Sequence, residues 1–376
     1  MRVMSVSLGR KGSIPLYGLE MTKALAKICD VSVLVASGAY NIEKWRNIEC
    51  PTMEIPTFHN GLTGFLSFFN IRKFMKIKRF ITSQKPDIIY YVGTHYWKPV
   101  IDLLVPSDVR VVMTVHDPVI HRGENYLARR IATAFERRKP DAYILLNESQ
   151  KGGFISARGI PEHRVAVIPH GIFLSYRELP TKLENFPDFV PLTENAGKYF
   201  LFIGRIAKYK GIITLLKTFQ KLPDETGRLL VIAGSGNFSK DEKNEISKIP
   251  GGSLRIFNRW LEDAEMSALA ANAYMTILPY EGATQSGVIP LSAAFGTPSI
   301  ASDSGGLSEQ IVDGETGFIF RAGNISELRN AIIKASEMPE EAYRNMRNAS
   351  LRYAMENWDW NILAARLASF LERTAE

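Results

Sequence analysis

Short runs rich in Val and Ile recur along this chain, and most are followed by a stretch with helical periodicity. Runs at 3–8, 31–35, 87–92, 110–115, 142–146 and 165–168 lack the strict apolar–polar alternation of a half-exposed strand. They read as parallel strands buried on both faces, which need crossovers between them. Helical pattern appears at 17–28 and between most of the later runs. This alternation predicts a doubly wound α/β sheet. It stops in FLSYRELPTKLENFPDFVPLTENAGK, from Phe173 to Lys198, which carries three prolines and many turn formers. It then restarts, with strands at 199–203, 229–233, 274–278 and 298–301 and helices at 212–222, 264–271, 288–295 and 325–336. The expected organisation is an N-terminal domain 1–175, a linker 176–197 and a C-terminal domain 198–357. A last helix, 358–376, is expected to pack back toward the N-terminal domain, with Ile362, Leu363, Leu367 and Leu371 as its apolar face.

Length agrees with two domains, because 376 residues exceed what one ordinary domain holds. Only Cys29 and Cys50 are present, without metal-type spacing, which points to a reducing cytoplasmic setting. The opening MRVMSVSLGRKG puts its short apolar run before its main basic cluster, so it reads as a first strand rather than a leader. No segment approaches the roughly 20 apolar residues of a membrane span. The net charge of +7 suits an anionic substrate, an anionic membrane surface or a nucleic acid. No nucleic-acid recognition module is visible. No G-x-G-x-x-G follows the first strand, which disfavours a nicotinamide dehydrogenase.

Ligands of open α/β sheets sit beyond the carboxyl ends of strands. Three junctions of the second domain are therefore informative. In FIGRIAKYKGIITLL, a strand ends at Gly204, Arg205 follows, and Lys210 and Gly211 precede a helix. The two cations offer a guanidinium fork and a mobile point charge for phosphate oxygens, and a solvated basic loop reads equally well from the residues alone. In PYEGATQSGVIP, Ser286 is placed to cap a helix starting near Gly287. The amides of Ser286, Gly287 and Val288 would then form an anion site on its dipole. Glu281 would accept hydrogen bonds from a polyol, and Thr284 and Gln285 would add polar contacts. The third junction, SDSGGLSEQIVDGETGFIF, reads adequately as turns.

With these pieces in order, the chain resembles the retaining glycosyltransferases of family 4, which have the two-domain GT-B fold. The matching segments are GRKGS at 9–13, TVHDP at 114–118, VIPHGI at 167–172, GR followed by KG at 204–211 and AGSG at 233–236. The acid-led loop at 281–288, FGTPSIASDSGG at 295–306 and DGETGF at 313–318 complete the set. The resemblance implies two Rossmann-like doubly wound domains facing each other across a cleft. It implies transfer of a sugar from a nucleotide-diphosphate-sugar donor to an acceptor hydroxyl, with retention, no cofactor and no metal. Arg205 and Lys210 would bind the diphosphate, with Gly204 beside them. Thr284, Gln285, Ser286, Gly287 and Val288 would hold phosphate and sugar, and Glu281 the sugar hydroxyls. His116 would contact the donor sugar, Asp117 would face the acceptor, and Gly12 and Ser13 would line the diphosphate side. Many relatives build cell-surface polysaccharide or glycolipid, so the acceptor would be a sugar or a lipid-linked sugar.

Two departures stand out. The slot of the second glutamate, five residues before Gly296, is Leu291, which puts ribose contacts in question. The base-binding turn carries Arg259 where a glycine is usual, so Arg259 and the Trp260 amide would frame the base, with Trp260 as plain core the alternative. Residues 65–81 offer a possible anionic-membrane surface, with Ile71, Phe74, Ile77 and Ile81 on one helical face, basic residues opposite, and Phe65, Leu66, Phe68 and Phe69 just before. A helix packed on the sheet explains the same pattern. The implied location is cytoplasmic, or peripheral on the inner face of the membrane. A nucleotide-sugar epimerase and a non-catalytic nucleotide-sugar-binding protein are the rival readings.

Overall fold

The computed structural model describes residues 1–58, 63–64, 67–68, 70–118, 139–223 and 228–375. They form two compact units, Met1–His170 with Trp360–Glu376, and Gly171–Asp359. The first holds strands β1 (Arg2–Ser7), β2 (Asp30–Ala36), β3 (Thr52–Ile55), β4 (Ile88–Tyr91), β5 (Arg110–Val115), β6 (Ala142–Leu145) and β7 (Val165–Val167). Their order in the sheet is β3-β2-β1-β4-β5-β6-β7, every pair parallel. The second unit holds β8 (Tyr199–Ile203), β9 (Leu229–Ala233), β10 (Leu254–Phe257), β11 (Ala273–Leu278), β12 (Ser299–Ser302) and β13 (Gly317–Phe320). Their order is β10-β9-β8-β11-β12-β13, again all parallel. Each sheet reverses direction of growth once, between β1 and β4 and between β8 and β11. These are the positions where an open sheet leaves a crevice at its carboxyl edge.

The buried strands divide their side chains between two cores. In the second unit, Phe200, Phe202, Leu230 and Ile232 face a core with Leu215, Leu216, Leu328 and Ile332. The alternate residues Tyr199, Leu201, Leu229 and Val231 face Leu183, Phe189, Leu192 and Leu269. The prolines and turn formers at 176–197 therefore contribute short 3-10 turns, Leu183–Asn185 and Pro187–Asn195, whose apolar side chains cover one sheet face. Their apolar residues are too widely spaced to show a period in sequence. Strands β3, β10 and β13 escape the sequence reading because each is only four residues long and lies at a sheet edge, so none makes an extended apolar run.

In the first unit Met4, Val6, Leu34, Ile89, Val111 and Met113 build a core with Phe74, Ile77 and Ile81. Those last three come from the helix Ile71–Gln84, whose N-cap Asn70 accepts from the Lys73 amide. Ile71, expected on the same face, is 72% exposed at the first turn. The terminal helix Trp360–Ala375 buries Leu363, Leu367 and Leu371 in the first unit but leaves Ile362 exposed, which corrects the expected face. A 3.6-residue period cannot place adjacent positions 362 and 363 equally inward. Trp360 sits edge-on to Tyr17 at 5.5 Å, and the Lys27 ammonium donates to Asn361 at 2.8 Å. No helix among the described residues is long and apolar enough to cross a membrane.

The placement of the helix 71–84 gives a direct contrast. Ile77→Ala opens a cavity under the sheet and should lower the unfolding free energy by about 2–5 kcal/mol. Ile71→Ala, at an exposed position, should stay within about 0.5 kcal/mol. Urea titrations of the two variants check the assignment, and equal losses would refute it.

Candidate functional site

At the β8–β11 reversal two loops are bound to each other. The first follows β8 and contains Gly204, Arg205 and the turn Lys208–Lys210. The second follows β11 and begins Pro279–Tyr280–Glu281. The Glu281 amide donates to the Tyr209 carbonyl at 2.8 Å, and the Thr214 hydroxyl donates to the Glu281 carboxylate at 3.3 Å. Gly211 adopts φ 65°, and a Cβ there would lie 1.7 Å from the Pro279 carbonyl oxygen. Only glycine permits that approach. The Lys210 ammonium lies 3.6 Å from the centre of the Tyr280 ring and 5.2 Å from that of Tyr209. Arg205 is exposed, with its guanidinium 5.7 Å from the Tyr209 ring and donating to the Tyr209 hydroxyl at 3.2 Å. The structure thus brings Arg205, Lys210 and Glu281 together on one edge of one sheet.

Neighbouring loops extend this edge on both sides. Ile206 bridges to Gly236, and Asn258 holds the Gly236 backbone through both ends of its amide. On the other side, Gly305 adopts φ 57° against the Ala283 carbonyl, and the Gly306 amide donates to Thr284. The Ser304 hydroxyl accepts from the Ala283 amide, and the Ser302 hydroxyl donates to the Tyr280 carbonyl. The stretch that reads as simple turns in sequence is therefore what buttresses the acid-led loop.

Several expectations change here. The helix after the loop is short, Val288–Ala294, with Gly287 at its N-cap. The Ser286 amide donates to the Gln310 side chain at 3.1 Å, and the Val288 amide to the Ser286 hydroxyl at 3.2 Å. Two of the three amides expected to hold an anion are thus engaged within the chain, because a buried N–H must find a partner. Gln310, which the sequence reading missed, also donates to the Ser286 carbonyl at 3.1 Å. Thr284 is buried, and Gln285 is partly buried with its side-chain oxygen lacking a partner among the described residues. Arg259, expected to frame a base, forms ion pairs with Asp188 at 2.7 Å and Glu265 at 2.6 Å. Trp260 is 55% exposed and is not core.

In the first unit, the carboxyl edge around the β1–β4 reversal carries the other candidates. Gly12 and Ser13 are exposed where the helix Ser13–Leu25 begins, with Gly12 at φ 84°. His116 directly follows β5 and is buried, its Nε2–H donating to the Val92 carbonyl at 2.7 Å. The Tyr17 ring meets it edge-on at 4.8 Å. Its Nδ1 is buried without a partner among the described residues, so His116 is only half satisfied. Burial lowers its pKa against the opposing effects of the Val92 bond and of Asp117. Asp117 is half-buried beside it. His95 packs against Phe58 and Trp97, and its Nδ1 accepts from the Trp97 amide. Burial pushes it down to about 4. In the residues 65–81, Phe74, Ile77 and Ile81 are committed to the core while Arg72, Lys76 and Arg79 are exposed. Phe65, Leu66 and Phe69 lie outside the described residues.

Two family models meet on this chain. One, described as glycosyl transferases group 1, matches residues 187–352, and the other, glycosyltransferase family 4, matches residues 17–176. The chain is a glycosyltransferase of the GT-B fold. It is 25% identical over 330 residues to a glycogen synthase of Mycobacterium tuberculosis, covering 83% of this chain and 76% of that one. It is 28% identical over 188 residues to a GDP-mannose-dependent phosphatidylinositol monomannoside mannosyltransferase of Mycolicibacterium smegmatis, covering 46% of this chain and 47% of that one. Among solved structures, Anabaena HepE in complex with UDP-glucose superposes with TM-score 0.74 at 17% identity, covering 99% of this chain and 100% of that one. The catalytic domain of Arabidopsis thaliana starch synthase IV, bound to ADP and acarbose, gives 0.73 at 12% identity, covering 100% and 99%.

In this glycosyltransferase the Gly211–Pro279 contact should tolerate no side chain. Gly211→Ala should cost stability by about 2 kcal/mol or more, since strain and a steric clash act together. A melting curve at wild-type temperature would refute it. Acid should also weaken the first unit. Between pH 6.5 and about 4 the unfolded chain binds protons that folded His95 refuses, so stability falls as pH falls through that window. The loss between pH 7 and 5, measured by denaturant titration, should shrink in His95→Asn.

Proposed function

We propose that this glycosyltransferase moves a hexosyl group from a nucleoside-diphosphate sugar to an acceptor hydroxyl with retention at the anomeric carbon and without a metal. The observation that carries this reading is the joining of Arg205, Lys210 and Glu281 at the β8–β11 reversal. Two cations face the place where a ligand of such a sheet lies, and one carboxylate stands beside them to accept sugar hydroxyls. The ligands bound in similar structures, UDP-glucose in HepE and ADP in the starch synthase domain, support the donor class.

In this reading the bond between the anomeric carbon and the diphosphate oxygen breaks while the acceptor oxygen bonds to the same carbon. The acceptor proton passes to the departing diphosphate on the same face. Arg205 and Lys210 stabilise the negative charge that builds on the leaving group, which is the main electrostatic contribution of the protein. Glu281 orients the sugar, and the 284–288 loop shapes the pocket through side chains and the Gly287 backbone more than through a row of amides. His116, with its unpartnered Nδ1, accepts from a sugar hydroxyl, Asp117 serves the acceptor, and Gly12 and Ser13 lie toward the diphosphate. The acceptor is a sugar or a lipid-linked sugar of cell-surface polysaccharide or glycolipid synthesis. The exposed basic side of the helix 71–84 suits an anionic membrane surface at a cytoplasmic location. An epimerase is not favoured, since both matching family models are those of glycosyltransferases.

Arg205→Ala and Lys210→Ala should each raise the barrier by about 3–4 kcal/mol, a loss on the order of 10²–10³ in turnover at saturating donor. Transfer or hydrolysis of a panel of nucleotide-sugars measures it. Near-normal turnover in both variants would falsify the assignment.

A further inference from the structure

Lysine is a poorly directed phosphate ligand, because its ammonium sits on a stem with four rotatable bonds. Lys210 nevertheless has a defined place. Its ammonium lies over the face of Tyr280 at 3.6 Å, well inside the range of a cation–π contact, and Tyr209 flanks it at 5.2 Å. Tyr280 is 1% exposed and held at both ends. Its carbonyl accepts from Ser302 at 2.6 Å, and its hydroxyl lies 3.4 Å from the Ser286 hydroxyl, which in turn accepts from the Val288 amide. An aromatic ring fixed in this way spans the gap between the lysine and the 284–288 loop.

We propose that Tyr280 is a positioning residue whose ring face holds the Lys210 ammonium in place for the donor diphosphate. The inference rests on the donor-site reading above. Burial pushes the Tyr280 phenol up to about 12, against the lowering effect of Ser286, so the ring stays neutral at working pH. Leu or Met at this position would keep part of the apolar volume, yet only an aromatic face attracts a cation. The ring, more than the long hydroxyl contact, is therefore the part that acts on the lysine.

Four variants of the full chain, Tyr280→Phe, Tyr280→Met, Lys210→Ala and the Tyr280→Met/Lys210→Ala pair, test this by calorimetry. The probes are inorganic pyrophosphate and the diphosphates of uridine, adenosine and guanosine. Lys210→Ala should weaken diphosphate binding tenfold or more, and Tyr280→Met by about fivefold to tenfold. Tyr280→Phe should stay within about threefold of wild type. In the Lys210→Ala background Tyr280→Met should add nothing, a non-additivity that a merely structural role would not produce. If Tyr280→Met does not fold, a pentafluorinated phenylalanine at position 280 keeps the volume, reverses the ring's charge distribution and should weaken binding similarly. Loss in Lys210→Ala with none in Tyr280→Met or the fluorinated chain would overturn the inference alone. Unchanged binding in Lys210→Ala would overturn the donor-site reading and the inference with it.

Discussion

The contact of Gly211 with the Pro279 carbonyl is the constraint on which the candidate site depends. Parallel strands β8 and β11 are neighbours in the sheet but lie some 70 residues apart in sequence, so their outgoing loops share a place only through the crossovers. Removing a side chain at 211 lets the two backbones touch. The amide of Glu281 can then reach the Tyr209 carbonyl, and the Tyr280 ring can lie under Lys210. An acid and two cations from loops distant in sequence become one polar edge with defined spacing.

The same logic governs the opposite side of the acid-led loop. Gly305 packs against Ala283, and Gln310 exchanges two hydrogen bonds with the Ser286 backbone. Buried peptide groups must be paired, and here the partners come from the next junction along the sheet. The loop is consequently held by side-chain clasps, and two amides at the start of the following helix are paired within the chain. In the first unit a comparable cluster surrounds His116. Val92 takes one ring nitrogen, and Tyr17 is packed edge-on to the ring while its hydroxyl lies 3.3 Å from that of Tyr90. Tyr90 in turn pairs with the Thr114 hydroxyl at 2.7 Å.

The two-sheet architecture was legible in sequence because buried parallel strands advertise themselves as uninterrupted apolar runs. The order of motifs pointed to Arg205, Lys210, Glu281 and His116, all of which stand in segments that leave the carboxyl ends of strands. Less legible were the short edge strands β3, β10 and β13 and the apolar residues of 183–192, which pack without any period. Nor were the ion pairs of Arg259 legible. A guanidinium in a loop looks like a ligand group until its acidic neighbours, Asp188 and Glu265, are seen to occupy it. Tyr280 and Gln310 were missed because a buried aromatic and a buried amide carry no motif; only their neighbours reveal them.

By itself the sequence determined the class of fold, the positions of the strand-to-helix junctions and the residue types available at each. Those properties follow from local hydrophobic pattern and turn chemistry, which act over a few residues. Tertiary structure decided which junctions touch, which amides and charges are already paired, and which ring lies beneath Lys210. Such pairings join residues distant in the chain through sheet order, and sheet order is fixed by packing rather than by any short stretch of residues.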